Sequence, residues 1–75
     1  VQIDHEAAEF PYLQLARMLR ERIAAGEYAA GRKLPTINDL VAETGLTTMT
    51  IRRSMKILAD EGLIVIVPGR GTFVR

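Results

Sequence analysis

The sequence predicts a mainly α fold with a small β-sheet: a winged helix-turn-helix of three helices and a two-stranded wing, with room for a short third strand. Three observations predict it. Thr47-Thr48-Met49-Thr50 opens a helical segment that leads into Arg52 and Arg53. Gly45-Leu46-Thr47 supplies the short glycine-centred turn that joins two helices in a helix-turn-helix. The chain then closes on an apolar run, Pro68-Gly69-Arg70-Gly71 and Thr72-Phe73-Val74, which is the pattern of a β-hairpin. This outline points to double-stranded DNA, with a helix in the major groove and the hairpin tip beside it.

The elements follow in chain order. Residues 1–10 lack a hydrophobic period and read as a mobile leader; 11–75 read as the folded domain. Pro11 suits a first helical position, where its missing N–H costs nothing. Tyr12, Leu15, Ala16, Leu19 and Ile23 recur at helical spacing, and Gly26 is a left-handed stop. The first helix is therefore expected from Tyr12 to Ala25, with Arg17 and Glu21 paired on its wet face. Gly26 to Pro35 reads as loop, within which Lys33-Leu34 has the length for one short strand pairing. Thr36 is a good N-cap, and Asp39 three residues on imitates a capping box. The second helix then runs from Ile37 to Thr44, burying Ile37, Leu40 and Val41, and Gly45 stops it. Leu46 is expected inside, and Thr47 or Thr48 caps the third helix, Thr48 to Glu61. Ile51, Met55 and Leu58 form its buried stripe with Ser54 beside them; Met49, Arg52, Arg53 and Lys56 lie opposite. Leu63 to Val67 is a β-branched strand, Pro68 to Gly71 a turn, and Thr72 to Val74 the return strand.

Composition narrows the function classes. The chain has 75 residues and no cysteine, which removes disulfides and thiolate metal sites and favours a cytoplasmic setting. No apolar run approaches the roughly 20 residues a membrane span needs, so no membrane contact is expected. Net charge is only +1. Its distribution says more: between Leu46 and Ala59 there are Arg52, Arg53 and Lys56 and no acid. The single histidine, His5, lies in the leader, so a histidine-based relay is not assembled; adjacent Asp60 and Glu61 point in different directions on a helix. No enzyme activity, cofactor or metal is expected.

The candidate site residues fall on three elements: the third helix, the start of the second, and the wing. Thr47, Thr48 and Thr50 are small and polar, as the amino end of a groove-reading helix requires for close approach. Arg52, one turn beyond Thr48, has the planar fork to reach guanine O6 and N7 or to straddle phosphate oxygens. Arg53 and Lys56 flank it as added charge. Thr36 and Asn38 fall near phosphate if the second helix crosses the backbone. At the wing, Gly69 and Gly71 allow positive φ and close backbone approach, and Arg70 between them suits phosphate or the minor groove.

Together these marks are far more specific than apart. Ile23-x-x-Gly26, Gly31-x-x-Leu34-Pro35, Asp39-Leu40, Gly45-Leu46-Thr47, Thr50-Ile51-Arg52, Leu58-x-x-x-Gly62-Leu63-Ile64 and Gly69-Arg70-Gly71-Thr72-Phe73-Val74 keep their spacing along the chain. From Tyr12 to Val74 the sequence resembles the DNA-binding domain of the GntR family of bacterial transcription regulators. The resemblance implies a repressor that occupies a near-palindromic operator. It also implies a carboxy-terminal domain, absent from this sequence, that binds a small effector and makes a homodimer.

The departures from that pattern concern charge. Where the family often has Ser-Glu-Arg after Leu-Pro, this chain has Thr36-Ile37-Asn38, and Asn38 cannot supply the arginine's charge. Where the family often has Ser-Arg, this chain has Thr47-Thr48. Frequent charged residues of the first wing strand are replaced by Val65, Ile66 and Val67; burial is expected for Ile66 and Val67, with an exposed interaction surface as the alternative. Weaker electrostatic binding and a distinct base preference follow. The alternative functions are a winged-helix protein–protein interaction module, recognisable by salt-insensitive binding, and a reader of RNA shape.

Overall fold

The computed structural model describes residues 3–4 and 8–75. The elements are α1 (Pro11–Ala24), α2 (Ile37–Thr44), α3 (Thr48–Asp60), β1 (Ile64–Val67) and β2 (Gly71–Val74). This is the expected mainly helical fold. No described helix is long and apolar enough to cross a membrane.

The helices end where the backbone chemistry says they must. Pro11 starts α1. After Ala25 the amides of Gly26 and Glu27 donate back to the carbonyls of Ile23 and Arg22, closing the last turn. The same pair of bonds, from Gly62 to Ala59 and from Leu63 to Leu58, closes α3. Leu63 is thus committed to the helix end, and β1 begins one residue later than its composition suggested. At α2 both halves of the capping box form: the Asp39 amide donates to Thr36 Oγ1 and the Thr36 amide to Asp39 Oδ2, each at 3.0 Å. Gly45 ends α2 at φ 74°, a left-handed conformation in which any side chain would be strained. Leu46 can then turn inward, and Thr47 caps α3.

The core gathers one stripe from each helix. Leu15, Ala16 and Leu19 of α1 meet Leu40 of α2 and Ile51, Met55 and Leu58 of α3, with Leu34, Leu46, Ile64 and Val74 closing the edges. Ile23, Ile37 and Val41 pack at its margin. Two buried polar residues were not foreseen as structural ties. Ser54 Oγ donates to the Tyr12 carbonyl at 2.7 Å, joining α3 to the start of α1. Gln14, 4% exposed, accepts from the Asp4 amide and donates to the carbonyls of Asp4 and Glu9. Ile3 also packs against the core. His5 lies outside the described residues.

The wing is a two-stranded antiparallel hairpin in which Ile64 faces Val74 and Val67 faces Gly71. The Arg70 amide donates to the Val67 carbonyl across Pro68-Gly69, the residue preference of a type II turn. Lys33 makes a single bridge to Phe73, so the short third strand is reduced to one pairing. Expected burial fails in β1. Val65 is exposed on the face opposite buried Ile64, and Ile66, on the same face as Ile64, is still 49% exposed because there it borders an open groove and not the core.

Arg20 reaches from α1 to the end of α3, where its guanidinium makes two hydrogen bonds to the Glu61 carboxylate at 2.8 and 2.6 Å. These bonds hold the Glu61 carboxyl below its ordinary range.

Two stability measurements test this packing. Thr36→Ala removes the cap hydroxyl and should cost about 1 kcal/mol in urea denaturation. A carboxyl with a depressed folded pKa contributes stability that is complete above its unfolded value and lost as pH falls through the folded value. The difference in melting temperature between wild type and Glu61→Gln should therefore be present at neutral pH and disappear in acid, below the ordinary glutamate range.

Candidate nucleic-acid interface

α3 presents two faces because its inner stripe is fixed by the core. A helix with Ile51, Ser54, Met55 and Leu58 inside must turn Met49, Arg52, Arg53 and Lys56 outward, and all four are exposed. Its 13 residues span about 20 Å. At its amino end Thr47 Oγ1 accepts from the Thr50 amide at 3.3 Å, and the two hydroxyls lie 3.0 Å apart. The positive end of the helix dipole is therefore lined with hydroxyls.

The expected site residues separate into two neighbouring hollows. One groove runs between the start of α2, the outer side of α3 and the wing. It brings together Thr36, Asn38, Thr48, Arg52, Gly69, Arg70 and Gly71. Lys33 joins them there, and the lining contains no carboxylate. Ile66 and Pro68 give the wing side an apolar wall. Among the described residues no acid pairs with Lys33, Arg52 or Arg70, so three cations face one concavity.

The second hollow lies where the turn before α3 meets the start of α1. Thr47, Thr50 and Arg53 line it with Phe10, Tyr12 and Leu46. The Arg53 guanidinium carbon sits 4.2 Å from the centroid of the Tyr12 ring, itself stacked on Phe10 at 6.0 Å. A cation–π contact thus seats the exposed Arg53 guanidinium over the Tyr12 ring. Lys56 lines neither hollow; its Nζ is 3.2 Å from Asp60, one turn along the helix, which partly neutralises it.

Sequence reasoning missed Lys33 and Tyr12 as members of this surface. Lys33 carried a signal: in an extended run, Leu34 inward puts Lys33 outward. Tyr12 sat on the apolar stripe of α1, and nothing local pairs it with a residue 41 positions away. Among the described residues no group of His, Asp and Glu side chains is disposed to hold a metal ion.

Known proteins share both sequence and shape with this chain. The family model for bacterial regulatory proteins of the gntR family matches residues 11–74. The uncharacterized HTH-type transcriptional regulator YdcR of Escherichia coli K12 is 40% identical over 63 residues, which is 84% of this chain and 14% of YdcR. The mannosyl-D-glycerate transport/metabolism system repressor MngR of the same organism is 36% identical over 64 residues, 85% of this chain and 27% of MngR. The chain thus spans less than a third of the length of either regulator. Among solved structures, AraR(DBD) in complex with operator ORR3 superposes with a TM-score of 0.89 at 32% identity, covering 97% of this chain and 88% of that one.

Proposed function

The chain belongs to the GntR family of bacterial regulatory proteins, and on that premise we propose that it reads an operator in double-stranded DNA for a transcription regulator, in most settings a repressor. The observation that carries this reading is the acid-free groove in which Lys33, Arg52 and Arg70 converge beside the hydroxyl-lined start of α3. A helix of about 20 Å with an exposed outer face fits the major groove. In that pose Thr48 and Arg52 approach base edges, and Thr47 and Thr50 lie beside them. Thr36 and Asn38 meet the phosphates of one strand, and Gly69, Arg70 and Gly71 reach the sugar-phosphate edge alongside. Arg53 and Lys56 supply flanking charge, Arg53 from its seat on Tyr12. The operator complex of AraR(DBD), a neighbour of similar shape, supports this reading.

In the whole protein, a carboxy-terminal domain binds a small-molecule effector and joins two copies. The greater length of YdcR and MngR supports that view. A dimer of this kind reads a near-palindromic site whose half-sites are set by the two-fold axis. Few phosphate contacts per copy make one domain alone a weak binder.

Selection of bound sequences from a random duplex library tests the reading directly. Recovery of one recurrent half-site supports it, and salt-insensitive or unselective binding overturns it. Against the selected duplex, Arg52→Ala should cost about 1–3 kcal/mol if Arg52 reads a base. An equal loss on a scrambled duplex would restrict it to phosphate. Arg70→Ala should lower the slope of log affinity against log salt by about one unit. A fluorescence-anisotropy titration across salt concentrations measures it, and an unchanged slope removes Arg70 from the phosphate contacts.

A further inference from the structure

Met49 is 79% exposed, the most exposed large apolar side chain among the described residues. It belongs neither to the core cluster nor to the lining of either hollow. Yet, near the amino end of α3, it lies between the two. Thr48 and Arg52, one and three residues away, line the groove beside the wing. Thr50 and Arg53, one and four residues away on the other side, line the hollow beside Tyr12. Anything that fills both concavities must cover Met49 between them.

From this geometry we infer that Met49 is a specificity-determining residue that reads the 5-methyl group of a thymine in each half-site. This rests on the operator-binding reading above. The occupant is a duplex, because the cations bracketing Met49 have phosphate as their natural complement and no acid pairs with Arg52 or Arg53 among the described residues. Base edges in the major groove offer hydrogen-bonding groups and a single apolar group, the thymine methyl. A thioether side chain covering an amino group or a carbonyl oxygen would strip it of water and return no hydrogen bond. Against a methyl group the same contact buries apolar surface on both sides, and an unbranched, polarisable methionine adapts to its position. Met49 therefore favours thymine and penalises the other bases at one step, while the threonines and Arg52 act on neighbouring steps.

The test uses the duplex selected from the random library and replaces its thymines one at a time by deoxyuridine, which removes the methyl and leaves every hydrogen-bonding group. With the wild-type chain, one position per half-site should weaken binding about fourfold, the worth of one buried methyl-sized group. With Met49→Ala that penalty should vanish at that position alone, and Met49→Leu should restore it. Because Met49 is outside the core, circular dichroism and melting temperature should confirm that each variant is folded. If every deoxyuridine changes wild-type binding less than twofold, or if Met49→Ala retains the penalty, the assignment is overturned while duplex recognition stands. If no duplex is selected at all, the operator reading fails first and the assignment falls with it.

Discussion

α1, α2 and β1 all pack on α3, and α3 has room for only one buried stripe. With Ile51, Ser54, Met55 and Leu58 turned inward, the 3.6-residue period leaves no freedom in what faces out. Met49, Arg52, Arg53 and Lys56 are outward because the core demands it, not because a ligand draws them there. The bond from Ser54 to the Tyr12 carbonyl ties α3 to α1 at 2.7 Å, deep in the interface. The same hydroxyl lies 3.3 Å from the Thr50 carbonyl of its own helix, so the bond to Tyr12 adds direction to a rotation that the apolar stripe already sets. The outer surface is thereby preorganised by the inner one. An interface set this way has less ordering left to do when it meets a rigid partner.

The second constraint is how ion pairs distribute charge on an almost neutral chain. Arg17, Arg20 and Arg22 of α1 are each matched by carboxylates, from Glu9, Glu21, Glu61, Glu27 and Glu43. Such exposed pairs contribute little stability individually. Their larger effect is to cancel field on the α1 side. The acids being so engaged, the cations around the wing groove keep theirs. A net charge of +1 therefore conceals a polarised molecule, and the composition alone argued too weakly for a polyanionic partner.

Much of this was legible in the sequence because it is local. Helix boundaries came within a residue, since Pro11, the Thr36–Asp39 box and the terminating glycines act over three or four positions. The wing was readable from Pro68-Gly69 and the flanking β-branched residues for the same reason. What escaped was tertiary. Gln14 falls outside the apolar stripe of α1, yet it is buried and bonds backbone groups ten and five positions upstream. Tyr12 looked like core, yet its ring carries Arg53. Ile66 looked buried by composition, but strand hydrophobicity does not reveal how far along the strand the core extends. The candidate residues do not form one unit: two hollows share them, and Lys56 belongs to neither.

That division explains how the chain can depart from its family's charge pattern and keep a coherent surface. Asn38 and Thr48, the positions at which the family resemblance leads one to expect arginine, both open into the groove that already holds Lys33, Arg52 and Arg70. Neutral hydrogen-bonding groups there retain shape and directionality while lowering the cation count. Coulombic attraction to phosphate is long-ranged and blind to base identity, whereas hydroxyl, amide and apolar contacts act only at van der Waals distance. Exchanging the first kind for the second shifts recognition from charge toward fit. Under the proposed operator reading, a chain built this way would depend more on the match between α3 and its base steps, and less on salt, than a chain with two further arginines at the same positions.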